Sequence, residues 1–138
     1  MAVVIDANLL VALAAGERQG PGVERQLARW TEAGEELHAP TLFPYELASA
    51  LARLVASGRL ETDELPEAWA TIQGIPVELH APADLLAVVR VALQLGRASA
   101  YDAAYLALAV RLRAELWTLD GPLARNAGSL GFPVRLVE

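Results

Sequence analysis

Four carboxylates lie where an apolar strand-like segment, or the start of an apolar helix, is interrupted. They are Asp6 in VVIDAN, Glu46 in FPYELASAL, Asp102 in SAYDAAYLALA and Asp120 in LWTLDGPLA. A charged residue next to a buried apolar run is rarely buried without a partner. Clustered carboxylates repel one another unless protons or hard cations neutralise them. The pattern therefore predicts a site for Mg²⁺ or Mn²⁺ made of carboxylate oxygens.

The segments that must position these acids alternate between short apolar runs and helix-period stretches, which is typical of α/β units around a mostly parallel sheet. We predict strands at residues 2–6, 36–39, 76–79, 115–119 and 133–137. We predict helices at residues 8–15, 22–32, 43–57, 63–72, 83–95, 99–113 and 121–128. The predicted fold is a single domain over residues 1–138, a three-layer α/β/α arrangement with a five-stranded, mostly parallel sheet.

The predicted topology allows the four acids to meet. Ligands of such sheets bind outside the carboxyl ends of the strands. Asp6 ends the first predicted strand and Asp120 the fourth, while Glu46 and Asp102 lie in the first turns of two helices. A single cluster at one edge of the sheet is the expectation.

Each acid also has a purely structural interpretation. Asp102 follows Ser99 by three residues, as in a capping box, and an acid suits the first turn of a helix. Asp120 precedes Gly121 and Pro122 in ordinary turn chemistry, and Asp6 could cap the first helix. Glu46 could be a solvated helix residue. These separate interpretations do not explain why all four acids occupy positions that can meet at one edge of the sheet.

Composition excludes several other kinds of site. The chain has no Cys, which removes thiolate catalysis and Cys-based zinc sites, and its two His, His38 and His80, are too few for most structural zinc sites. The chain also has no Lys. This argues against P-loop enzymes and against phosphoryl-transfer enzymes with Asp at strand ends, because both usually need a Lys near the phosphoryl group. No G-x-G-x-x-G follows the first strand, and Gly20-Pro21-Gly22 is typical of a turn.

Charge and hydropathy bear on partners and location. The net charge of −6 argues against a broad basic surface for nucleic acid. Two bound divalent cations would reduce that charge to about −2. All eleven basic residues are Arg, which can grip phosphate bidentately. No apolar run approaches the roughly 18 residues of a membrane span, and the N-terminus lacks a basic leader. A cytoplasmic protein with no membrane contact is expected.

At the four acids the sequence resembles the PIN domain family, the metal-dependent ribonuclease fold found in the toxins of VapBC toxin–antitoxin pairs. The resemblance covers essentially the whole chain. It is carried by Asp6-Ala7-Asn8 after the first strand, Glu46 opening an apolar helix, Ser99-Ala100-Tyr101-Asp102-Ala103, and Thr118-Leu119-Asp120-Gly121-Pro122-Leu123. No single one of these motifs is specific, but their order and spacing are those of the family. The scarcity of basic residues around the acids is a departure.

The resemblance implies a Mg²⁺- or Mn²⁺-dependent endoribonuclease that hydrolyses RNA phosphodiesters. The alternative is a solitary or non-catalytic PIN-like module that binds nucleic acid. The expected roles are direct metal binding by Asp6 and Asp102, and water-mediated binding or a second metal site for Glu46 and Asp120. The remaining candidates are supporting residues Asn8, Ser99 and Thr118, and possible phosphate contacts Arg97 and Arg125, for which surface solvation is the alternative.

The resemblance also implies partners. A homodimer and a cognate antitoxin that adds an amphipathic helix near the acids are both expected. Two apolar helix stripes are candidate contact surfaces, although most such stripes are core. One comprises Leu65, Ala68, Trp69 and Ile72, and the other Leu47, Ala50, Leu51 and Leu54. Nothing in the sequence indicates which RNA is cut.

Overall fold

A computed structural model of the protein describes residues 2–96 and 100–138. Within these residues the strands are β1 Ala2–Ile5, β2 Glu36–Pro40, β3 Glu78–His80, β4 Glu115–Thr118 and β5 Val134–Leu136. The α-helices are α1 Ala7–Ala14, α2 Gly20–Ala33, α3 Phe43–Ala56, α4 Leu65–Gln73, α5 Leu85–Leu95, α6 Tyr101–Leu112 and α7 Gly121–Ser129. A short 3₁₀ turn at Thr62–Glu64 precedes α4. Every predicted strand and helix is present, with bounds that differ by a few residues.

The five strands form one sheet in the order β3-β2-β1-β4-β5, and all four neighbouring pairs are parallel. The predicted α/β fold is confirmed. From β1 the chain adds β2 and β3 on one side and then β4 and β5 on the other, so the order of the strands reverses between β1 and β4. In open α/β sheets a ligand site forms where the order reverses, at the carboxyl ends of the strands.

Helices cover both faces of the sheet. The ring of Trp30 from α2 meets that of Trp117 from β4 edge-on, at a centroid distance of 5.4 Å, which places α2 on the face that carries Trp117. Leu116 points to the other face, because neighbouring strand residues alternate. Helix α6 also lies against the sheet, where it contacts β1, β2 and β4. The arrangement gives the three expected layers, with the central strands buried between them.

The two predicted apolar stripes mostly pack into the core rather than lying open to a partner. Five of their residues are buried, namely Leu47, Leu51, Leu54, Ala68 and Ile72. The physical reason is that both α3 and α4 pack on α1. Trp69 is the most accessible member of its stripe, at 38% exposure. Within the described residues, no helix is long and apolar enough to cross a membrane.

Candidate active site

Asp6 lies at the carboxyl end of β1, where the chain turns into α1. Its backbone N–H still pairs with the strand neighbour, donating to the Trp117 carbonyl at 3.0 Å. The carboxylate Oδ2 accepts hydrogen bonds from Thr118 Oγ1 at 2.9 Å and from Asn8 Nδ2 at 3.2 Å. Although Asp6 occupies the N-cap position, its side chain makes no capping hydrogen bond. The simple capping interpretation of Asp6 therefore does not describe its contacts.

The Asp6 carboxylate is in an unfavourable electrostatic environment. Burial raises its pKa to about 6, and the negative charges of Glu46 and Asp102 add to the rise. The Thr118 hydrogen bond and the nearby Asn8 backbone N–H act in the opposite direction. The three acids come from β1, α3 and α6, so residues 40 or more positions apart in the sequence act on one another. The structure brings these three predicted site residues together.

Glu46 lies in the first turn of α3 and is half-buried. Its Oε1 accepts a hydrogen bond from the Tyr105 hydroxyl at 2.5 Å. Burial raises the pKa of Glu46, and Asp102 raises it further, while the Tyr105 hydrogen bond and the charge of Arg53 lower it. Glu46 is therefore half-buried and hydrogen-bonded, and it is not the fully solvated helix residue of the structural interpretation.

Sequence reasoning missed Tyr105 and Arg53, although their spacing carried a signal. Tyr105 follows Asp102 by three residues on α6, which places both on one side of that helix. Arg53 follows Glu46 by seven residues, two turns along α3. Burial and the contact with Glu46 hold the Tyr105 hydroxyl in its protonated form by raising its pKa. A protonated hydroxyl can donate, so Tyr105 fixes the orientation of the Glu46 carboxylate.

Asp102 lies at the second position of α6, after the N-cap residue Ala100. The capping-box interpretation of Asp102 depends on Ser99, so it lies outside the described residues. Asp102 is half-buried and acts electrostatically on both Asp6 and Glu46. The predicted supporting residue Ser99 and the predicted phosphate contact Arg97 lie outside the described residues.

Asp120 has the structural role that its turn sequence indicated. Its Oδ1 accepts a hydrogen bond from the Leu123 backbone N–H at 3.0 Å and caps α7. It is tied to the other acids through Thr118, because the Asp120 backbone N–H donates to Thr118 Oγ1 at 3.0 Å and Thr118 donates to Asp6. A carboxylate has two oxygens, so capping through Oδ1 is compatible with a further contact through Oδ2.

A cavity of about 550 Å³ opens beside Asp120. Asn8 and Asp120 border it, together with the basic residues Arg53 and Arg59. Arg125 is exposed in the middle of α7, and its guanidinium reaches back toward Gly121, with Nη1 2.9 Å from where a Cβ on that glycine would lie. Arg59 is paired with Glu17. Arg53 acts electrostatically on Glu46, and Arg125 places its charge near Gly121, whereas the charge of Arg59 is offset by Glu17. Arg53 was not among the predicted site residues.

The chemical types of the donors in this site suit a hard divalent cation. Asp6, Glu46 and Asp102 offer carboxylate oxygens, and their mutual repulsion adds to the burial that raises the pKa of Asp6 and of Glu46. Their surroundings supply the neutral donors Thr118, Asn8 and Tyr105. Oxygen-only sites of this kind suit Mg²⁺ or Mn²⁺ rather than softer ions.

Comparison with known proteins identifies related sequences over most of the chain. Residues 3–129 match the PIN domain family. The protein named ribonuclease VapC3 from Pyrobaculum aerophilum is 34% identical over 138 residues, covering 96% of this chain and all of the relative. The protein named VapC ribonuclease Mb0985 from Mycobacterium bovis is 32% identical over 135 residues, covering 98% of each chain.

A solved structure shows the same fold. The crystal structure of PAE2754 from Pyrobaculum aerophilum superposes with a TM-score of 0.66 at 28% sequence identity. The match covers 91% of this chain and 87% of that one.

Proposed function

Because this chain belongs to the PIN domain family, we propose that it is a divalent-metal-dependent endoribonuclease and the toxin of a VapBC-type toxin–antitoxin pair. The observation that carries the proposal is the mutual electrostatic effect of Asp6, Glu46 and Asp102 at one edge of the sheet. The names of the relatives, VapC ribonucleases that match nearly full length, support RNA as the substrate.

The proposed roles follow from the contacts of each side chain. Asp6 and Asp102 hold the metal directly, while Glu46 and Asp120 act through water or complete a second metal position. Thr118 and Asn8 hold the Asp6 carboxylate in one orientation. When bound, Mg²⁺ or Mn²⁺ would acidify water and offset the negative charge that develops during phosphodiester hydrolysis.

Basic residues at the rim would bind the RNA backbone. Arg53 borders the cavity beside Asn8 and Asp120, and the Arg125 guanidinium lies beside Gly121, the residue that follows Asp120. Arg can bind phosphate through two parallel hydrogen bonds, so a few such contacts suffice to orient the strand. This arrangement accommodates the overall net charge of −6, because it needs no broad basic surface.

Hydrolysis by water predicts the chemistry of the products. Purified protein with Mn²⁺ should cut single-stranded RNA to fragments that carry a 5′ phosphate and a 3′ hydroxyl. End-specific labelling, before and after phosphatase treatment, measures this. Fragments ending in a 2′,3′-cyclic phosphate would show attack by the RNA's own 2′ hydroxyl and contradict the proposal. RNA that is bound but stays intact in Mn²⁺ would favour the non-catalytic binding module.

We also propose that the chain forms a homodimer and binds an antitoxin. Support for the dimer comes from α5, whose exposed face carries large apolar side chains at helical spacing, namely Leu86, Val89 and Leu93. Leu85, Tyr101 and Val110 extend this apolar face to the cavity of about 500 Å³ that α5 and α6 border. A contiguous apolar face of this kind is typical of contact with another chain.

The α5 face gives a specific assembly prediction. Leu93 is 72% exposed, so Leu93→Glu should leave the monomer folded. Burying an unpaired carboxylate in an apolar interface costs several kcal/mol, so the dimer dissociation constant should rise at least about 100-fold. Light scattering across a concentration series measures this, with Leu130→Glu, an exposed apolar residue just after α7, as the control. A wild-type monomer at high concentration would contradict the dimer, and a dimeric Leu93→Glu variant would place its interface elsewhere.

A further inference from the structure

Both histidines of the chain meet on the side of the sheet away from β4. His38 lies in β2 and His80 in β3, 42 residues apart, with His38 Nδ1 2.8 Å from His80 Nε2. Glu78 joins them, since its Oε2 lies 3.5 Å from His38 Nδ1. The parallel register explains the convergence. It pairs His38 with Glu78 and Pro40 with His80, and residues two apart on a strand share one face.

The three side chains form a compact donor set. One ligand atom from each residue lies within 4.8 Å of the other two. Two imidazole nitrogens and one carboxylate oxygen are a set that binds Zn²⁺ in enzymes, with the fourth position left to water. It differs from the all-oxygen set around Asp6 in the metals that it prefers, because imidazole favours Zn²⁺ and similar transition ions over Mg²⁺.

The geometry is near that of a metal site and needs only a small adjustment. Ligand nitrogens at about 2.0 Å from a tetrahedral ion are roughly 3.4 Å apart. The two ring nitrogens would therefore separate by about half an ångström relative to the 2.8 Å hydrogen bond. His38 is buried, whereas His80 is half-buried and Glu78 is exposed, so the side chains with room to adjust are on the solvent side.

We propose that His38, Glu78 and His80 bind a transition-metal dication of the Zn²⁺ class, at a site separate from the carboxylate cluster. Bound there, the ion ties β3, a three-residue edge strand, to β2. His80 also borders the cavity lined by Ala100 and Tyr101, the residues that precede Asp102. The ion would therefore stabilise β3 and the chain after His80, which lie next to the start of α6. The site needs neither RNA nor a second chain.

The two histidines make the test unusually direct, because the chain holds no other imidazole. The full-length protein is titrated with ZnCl₂ in excess Mg²⁺, which occupies the carboxylate site, and the imidazole ¹⁵N resonances are recorded. One Zn²⁺ per chain should shift the resonances of both rings, and Mg²⁺ alone should shift neither. Unchanged imidazole resonances at one equivalent of Zn²⁺ would overturn the proposal.

Variants identify the ligands independently of the spectra. Glu78→Gln alters an exposed side chain and should weaken Zn²⁺ binding, measured by calorimetry in excess Mg²⁺, by about tenfold or more. His80→Gln should weaken it further. Glu36→Gln, an exposed acid at the start of the neighbouring strand, is the matched control and should bind Zn²⁺ like the wild type. Equal Zn²⁺ affinity in wild type, Glu78→Gln and His80→Gln would contradict the assigned ligands.

Discussion

Replacing Asp6 or Asp102 with Asn is expected to reduce cleavage of single-stranded RNA at least about 100-fold at saturating Mn²⁺. Changing even residues that only support a metal ligand costs 10- to 100-fold in affinity or activity, so the loss of a ligand charge should cost no less. The substitutions preserve size and one hydrogen-bond acceptor. The fold should persist, as judged by circular dichroism.

Asp63→Asn is the matched control for this experiment, because Asp63 is exposed in the 3₁₀ turn before α4, outside the acid cluster. It should cleave RNA at the wild-type rate. A folded Asp6→Asn variant with near-wild-type activity would remove Asp6 from the metal site. The same result for Asp102→Asn would remove most of the case for a nuclease, because Asp102 is the residue that acts on both other acids of the cluster.

In the absence of metal, Asp6→Asn is expected to stabilise the protein at neutral pH. Folding raises the pKa of Asp6 from 3.8 to about 6. The folded state therefore holds this proton more tightly than the unfolded state, and stability falls as pH rises from about 4 to 6. At pH 7 the ionised carboxylate lowers the free energy of unfolding by up to about 3 kcal/mol, an upper bound because the side chain keeps some contact with water.

Urea unfolding in EDTA at pH 7 and at pH 4 measures this effect. The free energy of unfolding of Asp6→Asn should exceed that of the wild type at pH 7, and the difference should shrink at pH 4, where the wild-type carboxyl is protonated in the fold. Adding Mn²⁺ at a hundredfold excess over its dissociation constant should stabilise the wild type by about 2.7 kcal/mol and the variant much less. A variant that is less stable than the wild type in EDTA at pH 7 would show that Asp6 is not under repulsion.

The fold was predictable from the sequence because buried parallel strands and amphipathic helices have different periods. The runs at residues 2–6 and 115–119 are continuous and apolar, as strands covered on both faces must be. These runs also located Asp6 and Asp120 at the carboxyl ends of β1 and β4. The order of the strands was not predictable in this way, because it depends on the side of the sheet to which each helical crossover carries the next strand.

The individual contacts of the site needed coordinates. A carboxylate at a helix start can cap or can face a cluster, and local sequence does not distinguish the two. Asp120 does cap its helix, whereas Asp6 accepts from Thr118, a residue 112 positions away. The convergence of His38 and His80 was missed for the same reason, since it depends on the register of β3 on β2. Counting two histidines in the sequence made a nitrogen site look improbable.

The most direct test of the metal site is the rate at which metal-stripped protein cleaves single-stranded RNA before and after Mn²⁺ is restored. If Asp6, Glu46 and Asp102 form a catalytic metal site, cleavage should be absent in EDTA and should return when excess Mn²⁺ is added. Protein that cuts RNA at its full rate in EDTA would contradict the metal-dependent mechanism.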